Sequence, residues 1–352
     1  MATTRQAERE PGAGADSTDE RVRHAGLLTR LMRRPALGAV VGAVAVWVLF
    51  AVTAGDAGFL SFEGTANYLA VSAELGITGV AVAMLMISGE FDLSIGSMLG
   101  VGGMIVALGT VEYGLPLGVA LVLTLLVALA VGFLNGYVVV KTGLQSFIVT
   151  LAGLFILRGL LLAVTRLLTG LTVVGGVSDA VQGSLLTPLF SGYISGFPAV
   201  ILWWLAITAL AAWVLRRTTF GNWVFGTGGD RVAARNSGVP VDRVRILLFM
   251  GTACAGALVG VLQTLLLGSA DTLRGELVEL ESIIVAVVGG NLLAGGYGSA
   301  VGAFFGALTL GIVSQGFFFT GVDTDWFFVF LGTLLLLAVL ANNFIRRKAL
   351  EA

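Results

Sequence analysis

Long, uninterrupted apolar runs recur from Pro35 almost to the C-terminus, and they restrict this chain more than any other feature. About 20 apolar residues in a helix cross the hydrocarbon core of a bilayer. Lipid supplies no hydrogen bonds, so a spanning backbone must be helical or must close into a barrel. The runs here are continuous rather than alternating, which excludes the barrel. The balance of residue types agrees. Hydrophobic residues make up 57% of the 352 and charged residues 12%, against about a quarter charged in an average soluble protein. The expected fold class is an all-α polytopic integral membrane bundle of about ten transmembrane helices, with broken or re-entrant segments and both termini cytoplasmic.

The ten expected spans cover approximately 36–54, 67–88, 94–112, 115–140, 145–168, 197–215, 244–267, 281–295, 298–319 and 325–344. The eighth is short for a full crossing, which suits a re-entrant or broken helix. Residues 1–35 are polar, of mixed charge and expected to be a disordered cytoplasmic tail that includes the single histidine, His24. No apolar stretch precedes Pro35, so no cleavable signal is expected. A transmembrane domain follows over 36–345, with a cytoplasmic loop at about 216–243 and a short cytoplasmic tail at 346–352. The lone cysteine, Cys254, excludes an internal disulfide.

Lys and Arg in short loops set the orientation of a membrane bundle. With a cytoplasmic N-terminus, seventeen of the 20 basic residues fall on the inner side. The exceptions are Arg158, Arg166 and Arg274. The expected outer loops carry Asp56, Glu63, Glu112, Asp179, Asp271, Glu276, Glu279, Glu281, Asp323 and Asp325 instead. The net charge of −1 points to no nucleic-acid partner. Small residues four apart, as in Gly38/Gly42, Gly132/Gly136, Gly256/Gly260 and Gly298/Gly302/Gly306, allow helices to approach closely. The pentapeptides Gly96–Gly100 and Gly298–Gly302 share Gly-Ser-x-x-Gly, a faint internal echo of the kind found in duplicated transporters.

Three segments stand out as candidates for function. In the first, Ser88 to Ser97, Glu90 and Asp92 interrupt apolar sequence. A carboxylate within a membrane costs several kcal/mol unless it faces water or a partner. The stretch is therefore a cytoplasmic turn or a broken helix beside a cavity. Asp92 either caps the following helix or lines a pathway with Glu90, Ser94, Gly96 and Ser97, and with Asn135 on a nearby span. In the second, Gly228-Gly229 reads as a flexible turn, Asp230 as an N-cap, and Gly238 as the residue that ends a two-turn helix before Pro240. Ala233 and Ala234 would give this helix a small apolar face, with Arg231 and Arg235 one turn apart. Such a helix fits a groove on another protein, although a solvated connecting helix would have the same sequence. In the third, Gly289 and Gly290 weaken an apolar helix ahead of Asn291, and Gly295-Gly296 forms a tight turn. This segment is either a bent, mobile helix or a packing kink.

These residues carry a resemblance. Ser88-Gly89-Glu90-Phe91-Asp92-Leu93-Ser94-Ile95-Gly96-Ser97 resembles the Gly-Gly-Ile-Asp-Leu-Ser-Val-Gly-Ser signature of ribose- and xylose-type ABC permeases. Asn135-Gly136, Phe147 to Leu151 and Arg158-Gly159 resemble that family's next stretch. Gly228-Gly229, Ala233-Ala234-Arg235 and Ser237-Gly238 resemble its cytoplasmic coupling loop, and Ile283 to Gly302 its late glycine pattern. Order and spacing agree from roughly Asn67 to Ala338, and Glu90-Phe91 is the main departure. The resemblance implies a non-enzymatic permease subunit of an ATP-driven sugar importer in the bacterial plasma membrane. It implies a dimer or pseudo-dimer of permeases, a separate ATPase subunit that holds the ATP, and an extracytoplasmic sugar-binding protein. Gly228, Gly229, Asp230, Ala233, Ala234, Arg235 and Gly238 would then couple to the ATPase. The chain's two lysines, Lys141 and Lys348, follow no Gly-x-x-x-x-Gly pattern, so it has no phosphate-binding loop of that kind. No metal-ligand cluster and no paired acid/base carboxylates stand out, which argues against a membrane enzyme. The rival reading is an ion-driven carrier with Glu74, Glu90 and Asp92 as ion or proton sites.

Overall fold

The computed structural model describes residues 35–323 and 326–351, without the side chains of 35, 36 and 341–351. The expected tail before Pro35, with His24, and the acidic Asp325 lie outside the described residues. Among the described residues, eight helices are long and apolar enough to cross a membrane. They are α1 (Pro35–Ala54), α2 (Phe62–Ile87), α3 (Ile95–Ala107, extended by a wide turn to Glu112), α4 (Leu117–Thr142), α5 (Ser146–Thr169), α6 (Val200–Arg217), α9 (Val241–Leu267) and α11 (Ala300–Thr320). On the cytoplasmic side of the expected topology, α7 (Thr219–Gly229) and α8 (Arg231–Asn236) connect α6 to α9. The eighth expected span is α10 (Val278–Val288). Its 11 residues reach only about 16 Å, so it is a half-crossing followed by the non-helical stretch 289–299. The tenth is α12 (Trp326–Glu351), and residues 346–351, expected as a tail, continue this helix.

The bundle has two tiers. The inner helices α2, α3, α9, α10 and α11 pack on one another, and α1, α4, α5, α6 and α12 surround them. The contrast is strong: 72% of the most apolar window of α3 is buried, against 11% for α5. Outer helices carry Leu, Val and Phe on the outside because lipid accepts them as readily as the core does. At the outer end, Val173–Val174 pairs antiparallel with Ala270–Asp271 and joins the segments after α5 and α9.

Glycine sets how closely the inner tier packs. A Cβ on Gly132 or Gly136 would overlap α9 at Met250 or Ile246. One on Gly256 or Gly260 would overlap the backbone of α3 at Ile95 or Leu99, and one on Gly302 or Gly306 would overlap α10. The spacing Gly38/Gly42 is different, because nothing lies within 4 Å of a Cβ at either position. That pair makes no close approach in this fold. The two Gly-Ser-x-x-Gly stretches also diverge. Ser299 caps α11 by accepting from the Gly302 amide, whereas Ser97 lies inside α3 and donates to the Leu154 carbonyl.

The acidic outer loop needs correction as well. Glu279 and Glu281 are on α10, not in a loop, and Glu279 is buried. The stretch 268–277 folds inward, so that Gly275 and Glu279 meet Gly96 near the start of α3. Arg158 holds this stretch by donating to the carbonyls of Thr272 (3.0 Å) and Arg274 (3.1 Å). Arg158, one of the basic residues off the inner side, therefore has a structural role.

Overpacking a tight helix contact costs about 1–3 kcal/mol or more. Gly260→Leu should therefore lower the thermal midpoint of the detergent-purified protein markedly, while Gly42→Leu leaves it unchanged. Equal midpoints for the two variants would contradict this packing.

Candidate functional site

The chain leaves α2 at Ser88, whose hydroxyl donates to the Leu85 carbonyl at 2.7 Å. Gly89 then takes φ +82°, a left-handed conformation that glycine adopts without a Cβ clash. The terminal Ile87 carbonyl accepts from the Gly296 amide at 2.8 Å, and Gly228 packs directly against the same carbonyl. Gly295, at φ +81°, sits against Gly89 and Gly228. Three interruptions, at 88–94, at 229–230 and at 289–299, thus meet through glycine backbone, where a side chain at Gly228 or Gly295 would force them apart.

Glu90 lies beside this junction and is 2% exposed. Its Oε1 accepts from Nη2 of Arg231 in α8 and from Nη2 of Arg245 in α9, the latter at 2.7 Å. Arg231 also donates to the Gly89 carbonyl at 3.1 Å. Both arginines are among the seventeen basic residues expected on the inner side; here they neutralise a buried carboxylate, and Arg245 is itself buried.

Two residues further on, Asp92 is fully buried. Oδ1 accepts from the Ser94 amide (2.9 Å) and hydroxyl (2.6 Å), and Oδ2 accepts from Thr252 of α9. The Asp92 carboxylate thus closes a turn immediately before α3 rather than capping amides inside the helix. Asn135 of α4 donates to the Ser94 hydroxyl at 2.8 Å. The exposed amides of the break are satisfied by α5: Phe91 N–H donates to Ser146 Oγ (3.0 Å) and Leu93 N–H to Thr150 Oγ1 (3.1 Å). Hydroxyls one turn apart on α5 therefore do the work that lipid cannot.

The second candidate segment differs from its expectation in two ways. Gly228 and Gly229 end the helix α7 rather than forming a loose turn. Asp230 is the break, and it caps α8 by accepting from the amides of Val232 (2.9 Å) and Ala233 (3.0 Å). Ala234 is buried, while Val232 is 71% exposed and Ala233 exposed beside it. The outward apolar face is thus Val232 with Ala233, not Ala233 with Ala234. Arg235 is held by Asp242 at 2.6 Å, and Gly238 takes φ +84° after the helix.

In the third segment, Gly289 closes α10 and Gly290 turns at φ +85°. Asn291 spans the gap: its amide donates to the Ala286 carbonyl (2.7 Å) and its carbonyl accepts from the Ser299 amide (2.8 Å). Glu90 is therefore joined to α8 through Arg231 and to α9 through Arg245, while Asp92, Ser94 and Asn135 form a chain that reaches α9 through Thr252. Gly96 and Ser97 face elsewhere, toward 275–279 and α5. Sequence reasoning did not assign Arg245, Ser146 or Thr252 to the site. The available signal was an arginine one turn inside a span, and hydroxyls spaced at helical period.

Removing one partner of a buried pair costs about 3–5 kcal/mol, because the other charge remains unpaired. Glu90→Ala should destabilise the protein on that scale. Glu90→Ala combined with Arg245→Met should recover part of the loss in thermal unfolding, and strict additivity of the two changes would show that the pair does not couple.

A family model described as "Branched-chain amino acid transport system / permease component" matches residues 64–339. The xylose transport system permease protein XylH of Escherichia coli (strain K12) is 30% identical over 88% of this chain and 92% of its own length. The ribose import permease protein RbsC of Haemophilus influenzae is 30% identical over 83% of this chain and 88% of its own. No solved structure matches.

Proposed function

Because this chain belongs to the ribose/xylose-type family of ABC permeases, multi-pass proteins of the membrane, we propose that it is the membrane-spanning subunit of an importer carrying a monosaccharide into the cytoplasm. XylH and RbsC are named for xylose and ribose, and a pentose is accordingly the first solute class to test here. ATP is bound and hydrolysed on a separate ATPase subunit, and an extracytoplasmic binding protein delivers the solute. Two permease copies, or two related ones, form the pathway in the plasma membrane.

The observation that carries this reading is the construction of α8. A six-residue helix, about 9 Å long, is too short to be stable alone. Its Asp230 cap, the buried Ala234 and the Arg231–Glu90 pair fix it to the bundle. It nonetheless presents Val232 and Ala233 outward, where they fit a groove on a second protein. When the ATPase subunits close on ATP, they shift α8. Arg231 then carries that shift to Glu90, and so to the break between α2 and α3. An ion-driven carrier needs no such presented helix.

Val232→Asp and Ala233→Asp should abolish ATP-driven uptake and co-purification of the ATPase subunit, with normal amounts of permease in the membrane. Ala234→Arg should instead reduce the amount of folded permease, since that side chain points inward. Normal uptake by both outward-face variants would refute the docking role of α8.

A further inference from the structure

The stretch 289–299 lies at the inner end of the bundle, between α10 and α11. Its middle, Leu292-Leu293-Ala294-Gly295-Gly296-Tyr297, folds back on itself. The Leu292 amide donates to the Tyr297 carbonyl at 3.2 Å, and the Gly295 amide to the Leu292 carbonyl at 3.1 Å. Gly296 lies against Gly229, the last residue of α7: a Cβ at 296 would stand 3.0 Å from the Gly229 Cα. Asp230 and α8 follow at once. The turn and α8 are therefore neighbours at the same end of the molecule.

Apolar groups are exposed on this turn. Leu293 is 42% exposed and Tyr297 37%, with Ala294 exposed between them. None of the six residues is charged. Lipid is not their neighbour, because non-helical backbone does not occur exposed to hydrocarbon. Loops that face only water are polar as a rule. An uncharged patch that contains an aromatic residue and is edged by arginine has instead the composition of a protein interface. Arg231 and Arg235 of α8 supply such an edge, and both are exposed. The area needed points the same way. A stable interface takes about 20–30 residues a side, and α8 has six. An ATPase subunit seated on α8 therefore needs more of the inner face, and the turn is an apolar surface that adjoins α8 through Gly229 and Gly296.

We propose that the 292–297 turn is a second contact for the ATPase subunit, seated beside α8 on the same partner. The assignment rests on the docking of α8 and enlarges it. Each contact leads to a different part of the bundle. α8 acts on the break after α2 through Arg231 and Glu90. The turn is continuous with α10 and α11, and its Gly296 amide binds the last carbonyl of α2. A partner that grips both elements moves the half-length helix α10 directly, and not only through the glycine junction.

The test places the photoreactive residue p-benzoylphenylalanine at Leu293, or at Val232 of α8, in the complete transporter of permease, ATPase subunit and binding protein in proteoliposomes. Illumination should join the permease to the ATPase subunit from both positions, with the joined peptides identified by mass spectrometry. Separately, Leu293→Asp should weaken ATPase-subunit binding by about fivefold or more. The thermal midpoint of the permease should stay unchanged, because this side chain is exposed; should the variant fail to fold, Leu293→Ala decides by the same binding measurement. An adduct from Val232 with none from Leu293, or with one only to a second permease copy, would overturn the second contact and leave the docking of α8 standing. Unchanged ATPase-subunit binding by folded Leu293→Asp would do the same. No adduct from either position would overturn the docking of α8 and the second contact with it.

Discussion

A carboxylate at the inner end of a lipid-embedded bundle must reach water or be met by opposite charge, and Glu90 is met twice. Desolvating an ion costs several kcal/mol, and attraction offsets this only when the geometry is close. Arg231 and Arg245 provide that geometry from two elements far apart in sequence. The pair fixes where α2 stops, where α8 sits and how the first turns of α9 lie. Glu90 accepts from both guanidiniums through a single oxygen, so displacing either element disturbs the bond to the other. Without that carboxylate the two guanidiniums would repel each other across the junction.

The second constraint is the backbone itself. Breaks in helices are tolerated at membrane depth only where protein satisfies the freed groups. Each break here has its own solution. Ser146 and Thr150 accept the amides of 91 and 93, Asp92 and Thr252 close the turn before α3, and Asn291 joins the end of α10 to the start of α11. Glycine then lets the three breaks touch. The polar groups at the junction are thereby committed to holding the breaks in place.

Much of this was legible in the sequence because the strongest signals are local. Apolar length located nearly every helix, and the Asp230 cap and the Gly238 terminus were correctly placed by local turn chemistry. The half-length of α10 was visible in its flanking glycines and carboxylates. What failed depends on which way a residue points. Ala233 and Ala234 are adjacent, yet only one is outward, and nothing in two alanines says which. Arg245 looked like a surface charge because its partner is more than 150 residues away in the chain. Glu281 looked like an outer-loop acid because the inward fold of 268–277 rests on tertiary contacts from Arg158. Gly38 and Gly42 carry the same spacing as the packing glycines but have no neighbour, since spacing permits a contact without creating one.

The breaks also couple elements that are distant in sequence. α2 ends at the Ile87 carbonyl, and α10 leads into the loop whose Gly296 amide binds that carbonyl. Arg231 of α8 holds the residue three positions beyond Ile87. A helix transmits displacement along its axis as a nearly rigid body, because packed interiors resist compression. A displacement of α8 against the junction therefore bears on α2 and on α10 at once.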